Sequence, residues 1–160
     1  MHAFRSRRLA LLLALSASLG LAACGGGSSS SSTSTDYSAY GWANVTALKI
    51  VDTTLGTGTQ ADTTKNVSVN YTGYIYDVRV ADTKGTQFDT SVGKTPLTFT
   101  LGTGAVIPGF DQGVTGMKVG GKRTITIPAT LAYGSTGAGN GTIPANAALV
   151  FDIELVSVNN

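Results

Sequence analysis

The chain has 160 residues, of which eleven are Lys or Arg and nine are Asp or Glu, so its formal net charge at neutral pH is +2. Its only histidine is His2 and its only cysteine is Cys24. Beyond residue 24 there is no imidazole and no thiol, which excludes Ser-His-Asp and Cys-His catalysis, internal disulfides and any zinc site other than a carboxylate one. We therefore expect no metal and no cofactor.

Residues 1–23 are predicted to be a signal peptide of the bacterial lipoprotein type. Three arginines between residues 5 and 8 precede an apolar run, Leu9 to Leu21, as in a secretory signal, and this run is too short to span a bilayer comfortably. The run ends in Leu-Ala-Ala-Cys, which resembles a bacterial lipobox with Cys24 as the lipidated residue. The alternative is an ordinary signal peptide that leaves an unmodified thiol.

Residues 24–43 are predicted to be a flexible tether, because glycine and then serine and threonine dominate the sequence after Cys24. Two or more acyl chains on Cys24 would anchor the chain stably, since each buried methylene contributes about 0.8 kcal/mol. The residue after Cys24 is Gly25 and not an aspartate, and an aspartate at this position would resemble an inner-membrane retention signal. We therefore expect a lipid-anchored protein of the bacterial cell envelope, held at the outer membrane.

Removal of the signal peptide changes the charge balance of the chain. Three of the eleven basic residues lie in the signal, so eight remain against nine acidic residues, a net charge of −1. No run of Lys and Arg interleaved with aromatic residues remains that could follow a phosphate backbone. We expect no nucleic-acid partner.

Residues 44–160 are predicted to form one α+β domain with a single core. Apolar and polar residues alternate in short segments separated by glycine, aspartate and threonine, which is typical of an antiparallel sheet with one solvated face. The predicted strands lie near 45–52, 67–72, 97–101, 124–127 and 149–155.

One segment has helical spacing. After Pro108, which suits a first helical turn, Phe110, Val114 and Met117 recur at i, i+4 and i+7. Its glycines make this helix weak in isolation, so tertiary packing must hold it. The sequence thus predicts one short helix against an antiparallel sheet, with a cleft between the helix start and the sheet.

A loop almost without side chains runs from Gly134 to the Ile143-Pro144 pair. A phosphate-binding loop is disfavoured here, because no Lys followed by Ser or Thr comes after its last glycine. The segment beyond the loop also alternates like a strand and not like a helix.

Six segments of the domain carry distinctive motifs, in this order along the chain: Val69–Gly73, Gln87–Ser91, Pro96–Gly102, Val106–Phe110, Leu131–Gly134 and Leu149–Leu155. Together they resemble the signature segments of the FKBP-type peptidyl-prolyl cis–trans isomerases. Each segment alone is a weak signal, but six in the family's order are highly specific. The resemblance extends over residues 45–157, nearly the whole predicted domain.

The resemblance implies a strongly curved antiparallel sheet wrapped around a short helix, and a shallow apolar pocket for a proline ring. Asp89 would be the polar group near the twisted amide, while the Ile107 N–H and the Tyr133 hydroxyl would bind substrate carbonyls. The implied catalytic residues are Tyr71, Asp89, Ile107, Tyr133 and Phe151. The implied substrate-binding residues are Phe88, Leu97, Val106, Phe110 as the pocket floor, and Ile143 at the end of the glycine-rich rim loop.

Such an activity agrees with the missing histidine and cysteine. Rotation about an Xaa–Pro bond faces a barrier of roughly 18–20 kcal/mol and takes about 10–100 s without a catalyst. No bond between heavy atoms breaks, so no nucleophile is needed. An apolar pocket with donors aimed at the carbonyls would favour the twisted amide over the planar, more polar one.

The expected function is therefore isomerisation of Xaa–Pro bonds in exported polypeptides by a monomer that also accepts macrolide inhibitors of the FKBP class. Two alternatives stay open, a proline-peptide-binding chaperone and a surface interaction module, each with little turnover. The chain differs from the best-known members in having Leu97, Phe110 and Thr142, and in having no Arg between Asp89 and Pro96. Without the resemblance, the sequence would favour a purely structural role for the candidate site residues, with the aromatic side chains packed in the core and Asp89 in a turn.

Overall fold

The computed structural model describes residues 36–159. The predicted signal peptide, Cys24 and most of the predicted tether lie outside these residues. The described part contains six strands and one α-helix, α1, Pro108–Val114. The strands are β1 Lys49–Thr54, β2 Asn66–Tyr76, β3 Lys84–Thr90, β4 Leu97–Thr100, β5 Lys122–Ile127 and β6 Leu149–Asn159. Short 3₁₀ turns span Ser38–Tyr40, Trp42–Asn44, Ala129–Leu131 and Gly134–Thr136.

All strand pairs are antiparallel, and the sheet has the order β1-β5-β6-β2-β3, with β4 also paired to β2. The predicted α+β class, an antiparallel sheet with one short helix, is confirmed. β2 and β6 are the longest strands and pair along almost their whole length, from Asn66 opposite Asn159 to Ile75 opposite Leu149. Their alternate residues point inward, as the sequence pattern predicted, and Val67, Val69 and Leu155 are fully buried.

Helix α1 lies close against β5 because its glycines present no side chain to the sheet. A Cβ on Gly113 would come within 2.6 Å of Ile125 Cδ1, and one on Gly109 would overlap Ile127. On the face of the helix that points into the core, the large side chains of Phe110 and Val114 are buried. The glycines that weaken the isolated helix are thus what allow its packing.

Arg123 fixes the end of α1 to the sheet. Its Nε donates to Asp52 Oδ1 at 2.6 Å, and its Nη1 donates to the Gly113 carbonyl at 2.7 Å. Only 11% of the arginine side chain is exposed. A cation at a helix C-terminus satisfies carbonyls that have no partner inside the helix.

Residues 37–42, which precede the predicted domain boundary at residue 44, pack against the domain. Trp42 is buried, its indole N–H donates to the Tyr76 carbonyl at 2.7 Å, and its ring stacks on Tyr37 at 4.8 Å between centroids. The guanidinium of Arg79 lies 4.1 Å from the centre of the Tyr40 ring. The side chains of Tyr37, Tyr40 and Trp42 therefore hold residues 37–42 on the domain. The sequence pattern does not indicate this contact, because the neighbouring residues are serine, glycine and alanine.

Residues 73–90 contain more strand than the sequence pattern predicted. β2 continues to Tyr76, and β3, which was not predicted as a strand before Phe88, begins at Lys84. In the loop between them, Arg79 forms a bidentate pair with Asp77 at 2.8 and 2.7 Å. β3 carries no clear alternation because it is an edge strand with register shifts against β2. In residues 36–159, no helix is long and apolar enough to cross a membrane.

Candidate active site

A cavity of about 180 Å³ opens between the start of α1 and strands β2, β3 and β6. Nine of the ten pocket residues predicted from the sequence line it, and Ile143 is the exception. Ala105 was missed, since its small side chain gives no signal apart from preceding the Val106–Phe110 segment. The lining residues are Tyr71, Phe88, Asp89, Leu97, Ala105, Val106, Ile107, Phe110, Tyr133 and Phe151.

Four aromatic rings form the floor and walls through edge-to-face contacts. Phe110 and Phe151 meet at 5.1 Å between centroids and 78° between planes, and both are at least 96% buried. Tyr71 contacts Phe110 at 5.7 Å and 79°, and Phe88 contacts Phe151 at 5.6 Å and 90°. Such pairs stabilise by about 0.5–1.5 kcal/mol beyond simple burial, so the rings form a preorganised apolar surface.

One polar pair lies at the edge of this surface. The Tyr71 hydroxyl donates to Asp89 Oδ2 at 2.5 Å, and the Thr90 N–H donates to Asp89 Oδ1 at 2.8 Å. No cation pairs with Asp89 in the described part of the chain. Burial, followed by the hydrogen bond to Asp89 and its charge, raises the pKa of Tyr71 to about 12. The phenol therefore stays protonated and holds the carboxylate in place at neutral pH.

Two hydrogen-bond donors at the cavity have no partner among residues 36–159. Neither the backbone N–H of Ile107 nor the hydroxyl of Tyr133 takes part in a hydrogen bond there. Tyr133 is 39% exposed, and burial together with the charge of Asp89 raises its pKa, so it too stays a donor at neutral pH. A ligand carbonyl could accept from either group.

Helix α1 fixes the position of Ile107. The Ile107 carbonyl accepts from the N–H of Phe110 at 2.9 Å, and the Asp111 carboxylate accepts from the N–H of Gly102 at 2.9 Å. The two bonds tie both ends of the 102–107 loop to the helix. The Ile107 N–H is therefore held at the cavity by the fold and not by a side chain of its own.

Ile143 does not line the cavity, contrary to the expectation. Its N–H donates to the Ala138 carbonyl at 3.0 Å and its carbonyl accepts from the Ala138 N–H at 2.9 Å. This two-bond bridge closes the glycine-rich loop on itself and leaves Ile143 6% exposed within the core. The roles of the residues that do line the cavity stay predictions.

Four larger cavities, of about 670, 390, 220 and 210 Å³, lie elsewhere on the domain. The first lies beside the N-terminal aromatic segment, and the second lies over a polar region that includes Lys84, Asp152 and Glu154. None of the four brings the cluster of Tyr71, Phe88, Phe110 and Phe151 together with Ile107 and Tyr133, so we place the candidate active site in the 180 Å³ cavity. The described residues contain no group of three or more side chains able to hold a metal.

Comparison with known proteins identifies the family. Residues 57–156 match the family described as FKBP-type peptidyl-prolyl cis-trans isomerase. The chain is 46% identical over 113 residues to an FK506-binding protein of Neisseria meningitidis serogroup A, covering 70% of this chain and 96% of that protein. It is 49% identical over 112 residues to an FK506-binding protein of Streptomyces anulatus, covering 69% of this chain and 86% of that protein.

Solved structures agree with the sequence match. The crystal structure of AtFKBP13 superposes with a TM-score of 0.60 at 36% identity, covering 70% of this chain and 93% of that one. A peptidyl-prolyl cis-trans isomerase from Pseudomonas syringae gives a TM-score of 0.58 at 34% identity, covering 71% and 76% of the two chains. The family resemblance drawn from six sequence segments is confirmed, and the chain belongs to the FKBP-type peptidyl-prolyl cis-trans isomerases.

Proposed function

We propose that this isomerase acts on Xaa–Pro bonds of exported polypeptides, with the proline ring in the 180 Å³ cavity. One observation carries the proposal: the cavity combines a rigid aromatic floor with two donors, at Ile107 and Tyr133, that no described residue uses. A proline ring offers an apolar face to the floor, and its flanking carbonyls offer acceptors to the donors.

The proposed mechanism is preferential stabilisation of the twisted amide. The planar amide has the greater charge separation, so transfer from water to an aromatic cavity disfavours it more than the twisted form. Donors fixed at Ile107 and Tyr133 would then hold the substrate carbonyls in the rotated geometry. Asp89, held by Tyr71, supplies a fixed negative charge beside the rotating bond. Together these effects would have to lower the barrier by about 7 kcal/mol for an acceleration of about 10⁵.

The test is the rate of cis-to-trans relaxation of short Xaa-Pro peptides with the full chain. Asp89→Asn and Tyr71→Phe, which alter the polar pair while preserving shape, should each lower kcat/KM by about tenfold or more. Asp82→Asn is the matched control, since its carboxylate also accepts a backbone N–H, from Lys84, but lies outside the cavity. Equal rates for Asp89→Asn and the wild type would remove the carboxylate from the mechanism.

The same experiment separates turnover from binding. A folded chain that binds proline peptides without accelerating relaxation would instead be a proline-peptide-binding chaperone or an interaction module. The names of the relatives motivate a second arm with FK506, which we propose binds the same cavity as a monomeric 1:1 complex. FK506 should compete with the peptide, and Phe151→Ala should weaken both, because this ring forms part of the floor.

We further propose that Cys24 carries the lipid that holds the enzyme at the outer membrane of a bacterial envelope. The lipobox-like Leu-Ala-Ala-Cys after the apolar run supports this location. Cell fractionation with mass spectrometry of the N-terminal peptide tests it against a Cys24→Ser variant. Recovery of a soluble chain with an unmodified Cys24 would contradict the anchor.

A further inference from the structure

Ser91 is one of two polar side chains that are buried in the described domain, and its position beside the active site is the notable feature. It is 5% exposed and follows Asp89 by two residues. The other buried polar side chain, Asp77, is accounted for by its pair with Arg79. Ser91 is uncharged, so no ion pair accounts for its burial, and it does not line the cavity.

The Ser91 hydroxyl replaces a backbone carbonyl in the ladder between β2 and β3. In register, Thr72 lies opposite Thr90, so Tyr71 would next pair with Ser91. The Ser91 N–H does donate to the Tyr71 carbonyl at 3.0 Å, but the Tyr71 N–H donates to Ser91 Oγ at 2.9 Å. A regular antiparallel pair would use the Ser91 carbonyl for this second bond.

The Ser91 carbonyl is engaged elsewhere because the chain turns at this point. It accepts from the N–H of Lys94 at 2.9 Å, and Gly93 has a φ of +77° that closes the turn. The hydroxyl thus lets the strand end directly after Thr90 while the partly buried Tyr71 N–H keeps an acceptor. Alanine at this position would leave that N–H without its protein acceptor, which is costly for a backbone group shielded from water.

We infer that Ser91 is a positioning residue, which sets the backbone of Tyr71 so that the Tyr71 hydroxyl meets the Asp89 carboxylate. The inference rests on the proposed mechanism, in which this pair is part of the catalytic surface. The link joins β2 to the end of β3 and the residue that follows it. Ser91 binds the main chain of Tyr71, and Tyr71 binds the side chain of Asp89. Ser91 itself touches no substrate.

The experiment compares Ser91→Ala with Ser68→Ala in the full chain. Ser68 lies on β2, and its hydroxyl bonds the exposed hydroxyl of Thr98 at 2.8 Å, so its removal deletes one hydrogen bond away from the cavity. We expect Ser91→Ala to lower kcat/KM between about tenfold and a hundredfold, the range for a misplacement of up to about 1 Å. Ser68→Ala should leave kcat/KM unchanged.

A second measurement separates positioning from general destabilisation. Because Asp89 contributes to the raised pKa of Tyr71, NMR titration of ¹³C-labelled tyrosine should give a lower Tyr71 pKa in Ser91→Ala. An unchanged rate, or a lower rate with an unchanged Tyr71 pKa, would overturn the inference. The titration needs no turnover, so it tests Ser91 even if the wild type proves inactive and the proposed mechanism fails.

If Ser91→Ala does not fold, Ser91→Cys under reducing conditions carries the same test. The thiol has nearly the same shape but is a weaker acceptor, so it should give effects of the same sign and smaller size. Wild-type rates and a wild-type Tyr71 pKa in folded Ser91→Cys would likewise overturn the inference.

Discussion

Gly73 lies directly beneath the aromatic wall of the active site, and we predict that Gly73→Ala damages catalysis as well as stability. Gly73 is buried on β2, opposite Phe151 on one side and Asp89 on the other. A Cβ at this position would lie 2.6 Å from Phe88 Cζ and 2.8 Å from Phe151 Cε1. Both distances fall well short of an ordinary contact, which begins near 3.4 Å.

The magnitude follows from these overlaps. Forced repacking of a close-packed core costs about 1–3 kcal/mol, and disruption of the edge-to-face pair of Phe88 and Phe151 adds up to about 1.5 kcal/mol. Alanine also lowers the conformational entropy of the unfolded chain, which stabilises the folded state by up to about 1 kcal/mol. We therefore expect the free energy of unfolding to fall by about 2 kcal/mol. Movement of both rings within the cavity should lower kcat/KM by about tenfold or more.

Gly85→Ala is the matched control for this substitution. A Cβ on Gly85 would lie 2.8 Å from the Ile75 carbonyl oxygen and 2.9 Å from Asp77 Cβ, a similar overlap in the same hairpin but outside the cavity. Urea unfolding should show a comparable loss of stability for both variants, whereas only Gly73→Ala should lose activity per folded molecule. Full activity in folded Gly73→Ala, or equal loss in both variants, would refute the reasoning.

Three further predictions concern stability. Arg123→Met removes the bonds to Asp52 and to the Gly113 carbonyl and should lower the free energy of unfolding by about 2 kcal/mol in urea, since a charge-assisted bond to the helix-end carbonyl is lost with a partly exposed ion pair. A loss below about 0.5 kcal/mol would contradict the proposed anchoring of α1. Trp42 is the only tryptophan and is buried, so its fluorescence should report the same unfolding midpoint as far-ultraviolet circular dichroism. A fluorescence signal without a transition at that midpoint would show that Trp42 belongs to the tether and not to the folded domain. The raised pKa of Tyr71 means that the folded state holds this proton more tightly, so the related stability is present below pH 10 and is lost as the pH rises towards about 12. Full conversion of that shift would give about 2.7 kcal/mol, but solvent screening of the partly exposed ring reduces the expected loss to about 1 kcal/mol. Tyr71→Phe should lose less stability than the wild type over this range, and identical curves would count against the shift.

The sequence was sufficient wherever the pattern was local. Alternation predicted β2, β4, β5 and β6, because a strand with one buried face must repeat every two residues. The spacing of Phe110 and Val114 predicted the inward face of α1, and both are buried. The order of six segments then gave the family and nine of the ten residues expected at the cavity.

The sequence was insufficient where a residue's surroundings come from distant parts of the chain. Trp42 was assigned to a tether because its neighbours are small and polar, yet it binds the Tyr76 carbonyl, 34 residues away. Ile143 was expected at the cavity, but pairing with Ala138 turns it into the core. β3 was missed because an edge strand needs no alternation to pair with β2.

The sequence by itself determined the fold class, the family and the exclusion of Ser-His-Asp and Cys-His catalysis, since these follow from residue types, periodicity and motif order. Only the tertiary structure decided which groups meet. The bond between Tyr71 and Asp89 joins residues 18 apart in the chain, and the bond between Ser91 and the Tyr71 backbone joins residues 20 apart. Strand register sets both contacts, and register is decided by the packing of the whole sheet and not by any local pattern.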